Sequence, residues 1–198
     1  MKTNVLCDID GVICDFYKGF GEFLNKKYEA KLNLNKEPTS YTFKDWASGV
    51  KSINYDKSSY EWIMNGGMLT APIYDGARDF ILDLANIADI YIVTARIGDF
   101  RKLFPEEAIK KIEIDTLQWF KYHNIPVDNV YFEHNKIDFC KKNNIPILIE
   151  DKLSTAIDGG LNKIKSILLD RGWNKDTLSN HLYDRAFSYN DIIQKIKG

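Results

Sequence analysis

Asn4-Val-Leu-Cys7 is a short apolar run that ends in two carboxylates, Asp8 and Asp10, one residue apart, followed by Gly11. Side chains on a strand alternate faces, so an Asp-x-Asp leaving a strand end can aim both acids at one point. Two like charges that close are costly unless a cation or a proton holds them. A glycine next lets the chain turn sharply and brings backbone close to a ligand. The pattern points to a metal-assisted site, with one acid free to attack or to shuttle a proton.

Other apolar runs also end in residues suited to that chemistry. Ile90-Tyr91-Ile92-Val93 is followed by Thr94, Ala95 and Arg96. A hydroxyl and free backbone N–H groups at a strand end can hold a phosphate oxygen. The Arg96 guanidinium also fits phosphate, or else makes a surface ion pair. Val127 to Phe132 leads into Glu133-His-Asn-Lys136. Lys136 opens a helix, where a cation opposes the helix dipole, and neutralising a phosphate would account for it. Ile147-Leu148-Ile149 ends in Glu150 and Asp151, and a carboxylate there can complete the oxygen ligands of Mg²⁺. Asp151 is also placed to cap the helix that follows.

The elements that must position these residues read as an alternation of strands and helices. Asp15 is a plausible N-cap for a helix carrying Phe16, Phe20, Phe23, Leu24 and Tyr28. From Ala30 to Tyr60 the pattern breaks up, and Ser58–Met64 reads as a short helix carrying Trp62. Helices are expected over residues 76–88, 106–123, 137–143, 153–157 and 192–196, and strands over 90–93, 127–132, 147–149 and 166–169. On the long helix the expected apolar face is Ile109, Ile112, Leu117 and Phe120. This order implies an α/β fold with a parallel sheet between helices, whose ligands bind beyond the carboxyl ends of the strands. The stretch between about Phe16 and Ile73 is too long for an ordinary loop. We therefore expect a core formed by residues 1–15 and 74–198, and a small, mostly helical cap formed by 16–73.

Bulk properties narrow the function. The chain has 198 residues and a net charge of −1, which gives no general attraction to nucleic acid or anionic membrane. No apolar run approaches a membrane span, and the N-terminus carries no leader-like segment, so the expected location is cytoplasmic. Cys7, Cys14 and Cys140 are odd in number and form no CxxC. That argues against a disulfide framework or a zinc site, and Cys7 and Cys14 read as small packed hydrophobes.

Taken together, Asp8-x-Asp10-Gly-Val, Thr94, Lys136 and Glu150-Asp151 resemble the four motifs of the haloacid dehalogenase-like phosphohydrolases, a Rossmann-like fold. Within them the chain looks most like the cytosolic type C 5′(3′)-deoxyribonucleotidases, through Asp8-Ile-Asp-Gly-Val-Ile-Cys-Asp15-Phe16, the size of the cap, Ile149-Glu-Asp-Lys152 and Leu169-Asp-Arg-Gly-Trp173-Asn174. The resemblance implies Asp8 as nucleophile and Asp10 as general acid/base. It implies Mg²⁺ held by the carboxylates of Asp8 and Asp151 and the backbone carbonyl of Asp10, with Glu150 standing behind them. Thr94, the Ala95 amide and Lys136 would hold the phosphoryl oxygens, with Arg96 a further phosphate ligand. Phe16 and Trp62 would lie against a nucleobase, and Tyr41, Phe43 and Trp46 are looser candidates. It also suggests a homodimer.

Three positions depart from the pattern. Ala95 stands where a second hydroxyl residue is frequent, Arg96 replaces a small or apolar residue, and Glu150 stands where Asp is usual. The expected substrate is a (deoxy)nucleoside monophosphate. The alternatives are a phosphatase of the same fold for a sugar phosphate or a nucleic-acid 3′-phosphate end, and a catalytically weak protein that binds a nucleotide or a partner.

Overall fold

The computed structural model describes residues 2–46, 48–98, 100–177 and 180–198. Among the described residues, six strands form one sheet: β1 (Thr3–Cys7), β2 (Ala88–Thr94), β3 (Val130–Phe132), β4 (Ile147–Glu150), β5 (Lys165–Leu169) and β6 (Asp184–Ala186). Their order is β3-β2-β1-β4-β5-β6, with every pairing parallel. β1 lies inside the sheet, and its Val5, Leu6 and Cys7 are fully buried. Helices cover both faces of a parallel sheet, so its inner strands read as continuous apolar runs.

The strand order sets the site. The chain runs outward from β1 through β2 to β3, then crosses back to place β4 on the other side of β1. Such a reversal opens a crevice at the carboxyl ends of the central strands. Register then fixes neighbours there. Cys7 pairs with Ile92 of β2 and with Ile149 of β4. Asp8, one residue further on, is thereby set beside the ends of both strands.

Between β1 and the first helix of the later βα units lie α1 (Phe16–Tyr28), two short 3₁₀ turns, α2 (Tyr55–Met64) and a single turn, α3 (Gly67–Thr70). Asp15 caps α1, its side chain accepting from the Lys18 N–H at 3.0 Å. The inserted segment does not have a separate core. Phe20, Leu24, Trp62, Ile63 and Met68 belong to the same buried cluster as Val5 and Ile149 of the sheet. The remaining helices are α4 (Ala77–Ile87), α5 (Phe100–Leu103), α6 (Glu106–Tyr122), α7 (Lys136–Lys142), α8 (Leu153–Leu161) and α9 (Tyr189–Lys197).

The structure departs from the expected elements in several places; β3 begins at Val130 where 127 was expected, and α9 at Tyr189 where 192 was expected. On α6, Leu117 is 47% exposed whereas Trp119 is fully buried. The inward stripe passes through Ile109, Ile112, Thr116 and Trp119, at the helical spacings of three and four that leave Leu117 on the neighbouring face. α8 continues past Ile157 through Gly159-Gly160 to Leu161. There glycine serves close approach: a Cβ on Gly159 would stand 2.1 Å from the Ser166 hydroxyl of β5. β6 and α5 are short elements with no periodic signal of their own. Among the described residues, no helix is long and apolar enough to cross a membrane. The three cysteines are buried and unpaired, and burial pushes the Cys7 thiol up, away from the reactive thiolate.

Candidate active site at the carboxyl ends of the strands

The crevice holds a cluster of buried charge. Asp8, Glu150 and Asp151 each bring a carboxylate oxygen within 4.8 Å of the others, and Lys136 lies among them. Its ammonium is 2.7 Å from Asp8 Oδ1 and 2.5 Å from Glu150 Oε1. Lys136 is the first residue of α7, whose N-cap Asn135 accepts from the Asp138 N–H at 3.1 Å. That cap fixes where the helix begins and hence where the lysine enters the crevice.

Each acid is also held by backbone or by a neighbouring side chain. Asp8 Oδ1 accepts from the Ile9 N–H at 2.7 Å. Glu150 Oε2 accepts from the N–H groups of Asp151 and Lys152, both at 3.1 Å. Asp151 Oδ2 accepts from the Trp173 indole at 3.0 Å, and the Asp151 carbonyl accepts from Asn174 Nδ2 at 2.8 Å.

Three carboxylates share one ammonium here, and the titration of the group reflects that imbalance. Burial pushes the Asp8 carboxyl up to about 7, with Lys136 opposing and Glu150 and Asp10 adding to the rise. Burial and the charges of Glu150 and Asp8 push Asp151 well above the usual carboxylate range. Burial opposes the charge on Lys136, but Asp8 and Glu150 outweigh it and its pKa is raised. A buried, oxygen-only set with excess negative charge fits a hard divalent cation such as Mg²⁺.

Asp10 is held apart from this cluster. Arg96 grips its carboxylate from two sides, Nε to Oδ2 at 2.9 Å and Nη2 to Oδ1 at 2.7 Å. Gly11 follows at φ +78°, its N–H donating to the Cys14 carbonyl at 2.9 Å. A Cβ on Gly11 would stand 2.2 Å from Asp151 Oδ2, so only glycine lets this turn pack against the acid. The Gly11 carbonyl accepts from Arg171 Nε at 2.6 Å. The Arg171 guanidinium also lies 3.6 Å from the Tyr74 ring centre.

Of the other expected site residues, Thr94 is buried at the end of β2, and its hydroxyl accepts from the Arg96 N–H at 3.2 Å. Ala95 is exposed and lines the cleft. Arg96 differs from expectation. Its side chain is buried, and it is bound to Asp10 and to the Thr116 hydroxyl, at 3.1 Å. It is neither a surface ion pair nor an uncommitted phosphate ligand. Phe16 is half-buried on the cleft wall. Trp62 is one layer behind it, 4% exposed and absent from the cleft lining. Its ring meets Phe16 edge-on at 5.2 Å, because α2 turns that face into the common core rather than toward the cleft.

The cleft has a volume of about 820 Å³ and is strongly aromatic, with Tyr17, Phe43, Trp46 and Tyr55 beside Phe16. Tyr41 and Trp173 stand on its wall with their rings 6.4 Å apart. The ammonium of Lys152 is 5.3 Å from the Tyr41 ring centre. Sequence reasoning did not assign Trp173 or Arg171 a role. Their only signal was the Asp-Arg-Gly-Trp-Asn run after β5.

The chain matches known proteins over nearly its whole length. A family model described as 5′ nucleotidase, deoxy (pyrimidine), cytosolic type C protein matches residues 2–197. A nucleotidase of Clostridium acetobutylicum is 20% identical over 193 residues, covering 96% of this chain and 92% of that protein. Among solved structures, a predicted phosphatase from the same organism superposes with a TM-score of 0.61 at 17% identity, covering 100% of this chain and 99% of the other. A haloacid dehalogenase-like hydrolase from Streptococcus pneumoniae gives 0.58 at 16% identity, covering 98% of each chain. At such identities the structural likeness speaks to the fold.

Proposed function

We propose that this chain, which belongs to the family of cytosolic type C 5′-nucleotidases, hydrolyses nucleoside monophosphates through a phosphoryl group carried on Asp8. The observation that carries the reading is the Asp8–Lys136–Glu150 chain of contacts at 2.7 and 2.5 Å, at the mouth of the β1/β4 crevice. It sets a buried carboxylate beside an ammonium that can meet the phosphoryl group as its charge shifts.

An Asp8 oxygen forms the bond to phosphorus as the ester P–O bond breaks, and Asp10 gives its proton to the leaving alkoxide. Asp10 then takes a proton from the water that attacks phosphorus, the bond to Asp8 breaks, and inorganic phosphate leaves. Thr94, the Ala95 amide and Lys136 hold the phosphoryl oxygens. Mg²⁺ would be held by Asp8, Asp151 and the Asp10 carbonyl, with Glu150 fixing Lys136, and would supply Lewis-acid stabilisation of the transferring group. The donor set supports this assignment, and Arg96 binds the Asp10 side chain outside the cluster of three carboxylates.

We take residues 16–73 as the cap and 1–15 with 74–198 as the core. The aromatic wall around Phe16 supports a planar base as the group beyond the phosphate, since a base gains energy by stacking on such a surface. The test is phosphate release across nucleoside monophosphates, sugar phosphates and 3′-phosphorylated oligonucleotides, with and without Mg²⁺, for wild type and Asp8→Asn. Turnover of nucleotides that needs Mg²⁺ and is lost in Asp8→Asn is expected. Equal release by both proteins, or turnover of sugar phosphates or oligonucleotides alone, would overturn the assignment.

A further inference from the structure

Arg96 is buried beside the site, yet its hydrogen bonds go to none of the three clustered carboxylates. Its side chain is 1% exposed. Nε and Nη2 fork onto the two oxygens of Asp10, and Nη1 donates to the Thr116 hydroxyl of α6. The guanidinium carbon lies 5.7 Å from the centre of the Trp119 ring. Trp119 is itself fixed, because its indole donates to the Ala71 carbonyl at 2.6 Å. Ala71 lies where the inserted segment returns to the core, and the next residue's carbonyl, that of Pro72, accepts from the Asp15 N–H at 2.8 Å.

A guanidinium stays cationic in a protein even when buried. A planar fork bound at two points leaves a carboxylate one orientation, which a single ammonium cannot impose. It uses one lone pair on each oxygen, and a carboxylate has about four acceptor sites. The Asp10 side chain lines the cleft and is 29% exposed, so a leaving group or a water can reach an acceptor site that Arg96 does not use.

We propose that Arg96 is a positioning residue for Asp10. It holds the proton-transferring carboxylate at a fixed angle to the cleft, and α6 holds Arg96 through Thr116 and Trp119. The inference rests on the phosphatase reading above. It differs from the expected role of Arg96 as a phosphate ligand, and the two roles predict different kinetics. A phosphate ligand lost raises KM and weakens competition by inorganic phosphate. A positioning residue lost lowers kcat, and slows the first turnover most where the leaving group needs a proton.

The experiment compares wild type, Arg96→Ala and Arg96→Lys on a nucleoside monophosphate and on p-nitrophenyl phosphate, in steady state and by rapid quench. Nitrophenolate leaves as a stable anion and needs no proton. On the nucleotide, kcat of Arg96→Ala should fall by about 10²-fold, the lower range for loss of a general acid–base group, with KM within a few-fold of wild type. On p-nitrophenyl phosphate the variant should release a burst of nitrophenolate approaching one per enzyme and then turn over slowly, because water attack on the phosphorylated Asp8 still needs Asp10. Arg96→Lys should fall between the two, restoring charge without the fork.

Thr116→Val removes one of the contacts that orient Arg96 and should show a milder loss with the same dependence on leaving group. It decides the matter if Arg96→Ala does not fold by circular dichroism. A KM rise as the main effect, or equal slowing of nitrophenolate and nucleoside release in the first turnover, overturns the inference while the phosphatase reading stands. A wild type silent toward every substrate overturns both.

Discussion

Removing the Lys136 charge tests the electrostatics of the site directly. Lys136 is 5% exposed, and its partners Asp8 and Glu150 have side chains 11% and 2% exposed. Lys136→Met keeps the length of the side chain and leaves Asp8, Glu150 and Asp151 within 4.8 Å of one another without a cation. Breaking a buried pair by deleting one partner costs about 3–5 kcal/mol, because the remaining charge is stranded. For a chain of this size each kcal/mol moves the melting point by about 2–4 °C, so the expected loss is roughly 6–20 °C.

The loss has a sign in pH. The folded-state pKa of Asp8 is already raised, to about 7. A carboxylate raised on folding leaves the protein most stable when protonated, and stability falls as pH rises from its unfolded value through the folded one. Lys136 opposes that rise, so its removal should cost least near pH 5 and most near pH 8. Thermal unfolding with a chelator present, at both pH values, measures this. Added Mg²⁺ should recover much of the loss at the higher pH by mass action. A loss below about 1 kcal/mol at the higher pH, or one equal at both pH values, would show that the four groups do not share charge as the distances indicate.

Two further outcomes follow from the same geometry. Mg²⁺ affinity measured by calorimetry should weaken as pH drops below about 7, since protons compete for Asp8; a constant affinity down to about pH 5.5 would remove Asp8 from the ligand set. Gly11→Ala should lower both Mg²⁺ affinity and melting point, because its φ of +78° costs a Cβ residue about 1–2 kcal/mol and the new methyl would meet Asp151 Oδ2 at 2.2 Å; wild-type affinity in that variant would refute the packing of the turn against the acid.

The strand-end residues were readable from sequence because each lies at the end of an apolar run or within a few residues of it, and a parallel sheet brings such positions to one edge. Asp8, Thr94, Lys136, Glu150 and Asp151 are of this kind. What the chain conceals is pairing across long separations. The Arg96–Asp10 fork joins residues 86 apart, and the Arg171–Gly11 contact joins residues 160 apart. Neither leaves a periodic trace, and Arg96 read alone is only a cation after a strand. Trp62 shows a related limit. Helical spacing identifies an apolar face but not whether that face meets the cleft or the core, and here it meets Phe16 and Phe20.

The Asp-x-Asp spacing carries two like charges out of one strand end, a pair that is costly unless a cation or a proton holds it. The structure divides them instead. Asp8 is paired with Lys136 from α7, whereas Asp10 is paired with Arg96 from the loop after β2. The two environments differ in kind. Asp8 sits in a crowded, buried set of acids that shares a single ammonium and can take a divalent cation, as suits a carboxylate that must approach an anionic phosphoryl group. Asp10 is more open, its side chain 29% exposed, with a guanidinium of its own. Proton transfer needs an acid that substrate or water can reach and whose orientation is set before they arrive. The proposed division of labour therefore follows from which cation each acid meets, and that is decided by the strands on either side of β1 rather than by the motif itself.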